Sequence, residues 1–70
     1  MTQKERVYKY MKEFGTITQV EAFTALGVYR LAARIADLRR DGIKIIAKQV
    51  SGKNRYGETV YFSEYSIKND

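Results

Sequence analysis

The sequence predicts an α+β fold, three helices followed by a β-hairpin, within one domain spanning residues 1–70. Three observations predict it. Up to Asp41 the apolar residues recur at helical spacing, interrupted at Gly15 and Gly27. After Gly42 the chain becomes β-branched and aromatic, with a partly alternating pattern. Between the two β-like stretches lies the polar run SGKNRYGE, residues 51–58, whose Gly52, Asn54 and Gly57 suit a hairpin loop.

Thr2-Gln3-Lys4-Glu5 has the form of a capping box, in which hydroxyl and carboxylate satisfy reciprocal backbone N–H groups. Behind it Val7, Met11 and Phe14 share one helical face, Tyr10 widens that face, and Gly15 ends the helix. Helix 1 is therefore expected from about residue 3 to 14. Thr16-Ile17 is a short extended link. Thr18-Gln19-Val20-Glu21 is a second capping box, after which Ala22, Phe23 and Leu26 are expected to face inward and Gly27 to stop a helix over roughly 19–25. Helix 3 is expected from Val28 or Tyr29 to about Asp41, with Leu31, Ile35 and Leu38 as its apolar stripe. Ala32 and Ala36 are expected beside the stripe, against helix 1 or 2, and Arg30, Ala33, Arg34 and Asp37 on the other side. Strands are expected at 43–50 and 59–67. A third short strand arises if Thr16-Ile17 pairs with the hairpin, which completes a winged helix-turn-helix architecture.

Two helices joined at Leu26-Gly27-Val28, the second one basic, form a helix-turn-helix pattern. Charge supports a polyanionic partner: 13 Lys plus Arg against 8 Asp plus Glu give +5. The chain has no Cys and no His, so disulfides, the usual zinc ligands and nucleophile–His catalysis are excluded. No phosphate-cradling glycine motif occurs, and the carboxylates form no recognisable acid–base pair. No enzymatic activity, cofactor or metal is expected. No apolar run approaches the ~20 residues that span a bilayer. The first residues, MTQKERVYKYMKEF, lack the apolar core of a secretory signal.

The run TITQVEAFTALGVYRLAARIADLRRDG, followed by Ile43 and KNRYGE, resembles the short helix-turn-helix proteins encoded by bacteriophages and prophages. The similarity lies in Glu21-Ala22, Leu26-Gly27, Arg30-Leu31, Ala33-Arg34-Ile35, Leu38-Arg39 and Gly42, then Asn54-Arg55-Tyr56-Gly57, and it covers nearly the whole chain. It implies a winged helix-turn-helix fold, a DNA-binding or regulatory function and the cytoplasm of a bacterial host. Winged-helix sequences often open helix 3 with Ser or Thr. Here Tyr29 stands at that position, where it cannot cap but can present its hydroxyl to a phosphate or its ring to a sugar or thymine methyl.

The candidate DNA contacts follow from position. Arg30 and Arg34, at i and i+4, would enter the major groove with helix 3, where Arg reads guanine O6 and N7; the rival role of Arg34 is an ion pair with Asp37. Arg39 and Arg40 close helix 3 and complement its dipole. Lys53, Asn54 and Arg55 mark the hairpin tip and would lie on the phosphate backbone or in the minor groove. Tyr56 is the best candidate for an exposed ring, with Tyr8 another. Tyr61, Tyr65 and Ile67 share one strand face, expected to pack on helix 1, and Val60 and Phe62 share the other. Gln19, opening helix 2, could donate to a phosphate or serve only as a first-turn residue. The expected function is sequence-selective binding of double-stranded DNA in transcription regulation, DNA architecture or excision control. The alternative is a protein-interaction module that binds or inhibits a host protein.

Overall fold

The computed structural model describes residues 1–68. Helix α1 runs Gln3–Phe14, β1 Thr16–Thr18, α2 Gln19–Leu26, α3 Leu31–Arg40, β2 Ile45–Lys53 and β3 Thr59–Ile67. Both capping boxes form. Thr2 Oγ1 accepts from the Glu5 N–H at 3.2 Å, and Glu5 accepts from the Thr2 N–H at 3.0 Å. Thr18 Oγ1 accepts from the Glu21 N–H at 3.3 Å, and Glu21 accepts from the Thr18 N–H at 2.8 Å. Each box satisfies donors that a helix N-terminus leaves without partners.

The three strands form one antiparallel sheet in the order β1-β3-β2. The third strand is present and extends to Thr18, with Ile17 opposite Tyr65. Ile45 lies opposite Ile67 on the other side of β3. Alternation along each strand turns Ile17, Ile45, Tyr65 and Ile67 toward the helices, where they meet Val7, Met11, Ala22, Val28, Leu31, Ile35 and Leu38. Lys4 pairs with Asp41 at 2.6 Å, tying the start of α1 to the end of α3.

Several expectations are corrected. Helix 3 begins at Leu31, because Val28 is drawn fully into the core and Gly27 turns the chain in the left-handed conformation at φ +70°. Tyr29 and Arg30 therefore belong to the turn, and Arg30 and Arg34 do not share a helical face. Ala32 and Ala36 are exposed, while Arg34 and Asp37 are half-buried on the side of α3 that meets α1. Phe14 is exposed, its ring centroid 4.6 Å from that of Tyr10, since Ile17 occupies the core just beyond the helix end. Phe23 is also largely exposed and rests on Tyr29. Tyr8 is half-buried against the core rather than free. Tyr65 and Ile67 pack as expected, but Tyr61, nearer the hairpin tip at the start of β3, is exposed.

The hairpin differs in its loop. Strand β2 continues to Lys53, paired with Thr59, so the loop shortens to residues 54–58. Gly52 lies within this extension. A Cβ there would stand 3.3 Å from the Phe62 ring, so glycine lets that ring lie across the neighbouring strand.

Candidate nucleic-acid interface

One side chain bridges the two helices of the helix-turn-helix. Gln19 Nε2 donates to the Val28 carbonyl at 3.0 Å, and Gln19 Oε1 accepts from the Leu31 N–H at 2.9 Å. Arg30 occupies the N-cap position of α3 but makes no side-chain cap bond. The amide of Gln19 supplies the acceptor that Ser or Thr would otherwise offer, so the chain tolerates Tyr29 and Arg30 before the helix. Tyr29 stands 73% exposed, in edge-on contact with Phe23 at 4.8 Å between ring centroids.

The basic residues divide into committed and free groups. Arg34 Nη1 donates to Gln3 Oε1 at 3.3 Å, and Arg34 Nε lies 3.1 Å from Asp37 Oδ2. That Nε is shielded from solvent and its N–H is not directed at an acceptor, so the contact with Asp37 is an ion pair without a hydrogen bond from Nε. Arg40 pairs with the other Asp37 oxygen. Arg39 Nη2 donates to the Ile45 carbonyl at 3.0 Å, joining α3 to the start of β2. Arg6 donates to the Leu26 carbonyl at the end of α2. Arg30 and Arg55 are exposed, and neither has a side-chain partner among the described residues.

At the wing tip Asn54 is the organiser. Its Oδ1 accepts from the Tyr56 N–H at 2.9 Å and from the Glu58 N–H at 3.1 Å, and its Nδ2 donates to Glu58 Oε1 at 3.0 Å. Its backbone adds a bond from its N–H to the Glu58 carbonyl and one from the Gly57 N–H to its own carbonyl. An Asn side chain bonding to backbone two residues on is the usual means by which Asn fixes a turn. Gly57 holds φ +77°, the left-handed conformation that closes this one. The result displays Arg55 and Tyr56 outward, the latter 79% exposed. Lys53 donates to Thr59 Oγ1 across the base of the loop at 2.7 Å.

The structure thus sorts the eight candidate residues. Tyr29 and Arg30 are together in the turn, and Arg55 and Tyr56 are together at the wing tip. Gln19, Arg34, Lys53 and Asn54 are engaged within the fold. Sequence reasoning passed over the apolar surface of Val20, Phe23 and Tyr29, because helical spacing assigned Phe23 to the core. No helix among the described residues is long and apolar enough to cross a membrane, and no group of acidic residues there could hold a metal.

A family model described as a winged helix-turn-helix domain matches residues 2–70. No curated protein and no solved structure matches the chain significantly.

Proposed function

We propose that this chain, which belongs to the winged helix-turn-helix family, binds double-stranded DNA sequence-selectively. The start of α3, with the turn before it, enters the major groove, and the loop at 54–58 follows the phosphate backbone or dips into the minor groove. The observation that carries this reading is the segregation of the arginines. Among the described residues, Arg30 and Arg55, on the two elements that such a domain lays on DNA, are the arginines without internal side-chain partners. Tyr29 and Tyr56 flank them. Gln19 and Asn54 set the backbone that presents them, Lys53 supports the loop from its base, and Arg34 reaches DNA only by exchanging Asp37 for a phosphate.

The setting is the cytoplasm of a bacterial host, and the protein is of bacteriophage or prophage type. The role is transcription regulation or control of DNA architecture and excision. A salt titration against random duplex DNA tests the reading. Log affinity should fall linearly with log salt, and Arg30→Ala and Arg55→Ala should each flatten the slope by about one unit. Absence of binding at low salt overturns it.

A second reading has one observation on its side. Val20, Phe23 and Tyr29 expose apolar area beside the turn, as a module that binds or inhibits a host protein would.

A further inference from the structure

Given DNA binding as proposed above, we infer that the surface around the turn reads thymine C5-methyl groups. It does so in place of guanine recognition by the arginines of α3. The hydrogen-bonding side chains of α3 are already used: Arg34 and Arg40 on Asp37, and Arg39 on the Ile45 carbonyl. Releasing any of them into a groove breaks a bond within the fold. What α2 and the turn before α3 offer without such a loss is apolar. Val20 is 66% exposed, Phe23 48% and Tyr29 73%, and the rings of Phe23 and Tyr29 meet edge-on. Exposed Ala32 lies just beyond, in the first turn of α3.

The occupant must suit both this apolar area and Arg30, which lies beside Tyr29 and has no side-chain partner among the described residues. A major groove bearing thymines does so. The C5-methyl of thymine is the apolar group on the major-groove base edges, and it takes contacts from small aliphatic and aromatic side chains. The phosphates along the groove supply the anion for Arg30, in a domain of net charge +5.

The test uses the full chain and a duplex enriched from a randomised pool, compared with the same duplex carrying deoxyuridine in place of every thymine. The replacement removes the methyl groups and keeps every base-edge hydrogen bond. Affinity should fall about four-fold for each contacted methyl that is lost. Val20→Ser and Tyr29→Ala alter exposed positions, and circular dichroism checks that both variants fold. Each should bind the thymine duplex more weakly and show a smaller thymine–uracil difference than the parent chain. Equal affinity for the two duplexes, with salt-dependent binding retained, overturns methyl reading and leaves DNA binding standing. Failure to enrich or bind any duplex at low salt overturns both.

Discussion

Gln19 caps a helix that starts twelve residues later: its Oε1 accepts the N–H of Leu31, the first residue of α3, at 2.9 Å. The same amide donates to Val28, so one side chain sets both the turn and the helix that follows. Gln19→Ala removes an N-cap acceptor and should lower stability by about 1 kcal/mol. In a domain of this size that corresponds to a fall in Tm of about 4–8 °C. Thermal unfolding followed by circular dichroism measures it. A Tm equal to that of the parent chain would show that another group caps α3.

Asp37 pairs with both Arg34 and Arg40. Asp37→Ala should therefore raise affinity for duplex DNA and steepen its salt dependence by up to about two units, as both guanidiniums become available to phosphates. Asp37→Ala should also lower stability, because it leaves the solvent-shielded Nε of half-buried Arg34 without its counter-ion. An unchanged salt slope would place these arginines away from the bound DNA.

Asn54 should act on binding through Arg55 and Tyr56. Asn54→Ala deletes the acceptor for two backbone N–H groups of the tip. Amide hydrogen exchange at Tyr56 and Glu58 should quicken. DNA affinity should fall to near that of Arg55→Ala, while the global unfolding transition moves little because the loop lies outside the core. Unaltered exchange in the variant would contradict this organising role.

Acid should act on α1 through Glu5. Hydrogen bonds from the Thr2 backbone N–H and then the Thr2 hydroxyl hold the Glu5 carboxyl below its ordinary value of 4.5. A lowered folded-state value means that the ionised group favours the folded state. Its contribution is present above 4.5 and is lost as pH falls through the lowered value. Glu5→Gln keeps a capping oxygen but cannot titrate. The variant should lose less Tm than the parent between about pH 5 and pH 2. Parallel Tm curves for the two chains would rule out the linkage. At the alkaline end Lys4 acts in the opposite sense. The hydrogen bond and charge of Asp41 raise its pKa above 10.5, so its contribution fades as pH climbs through that raised value.

The sequence by itself determined the elements whose signals are local. Capping boxes at Thr2 and Thr18, the glycine stop at Gly27, the stripe Leu31–Ile35–Leu38 and the change to β-branched residues after Gly42 all act within a few residues. The pairing of Thr16-Ile17 with the hairpin is legible as a condition, because an extended pair before a helix suits an edge strand; that it reaches Thr18 is not. Tertiary structure decided what each exposed side chain touches. Helical spacing cannot tell that Val28 is pulled into the core and delays α3, nor that Gln19 caps it from another helix. Nor could spacing show that the Arg34 face of α3 meets α1, leaving Ala32 and Ala36 in solvent and Phe23 on Tyr29. Those outcomes depend on which surfaces the three helices and the sheet bury together. That choice separates the arginines bound within the fold from Arg30 and Arg55, which remain open to a ligand.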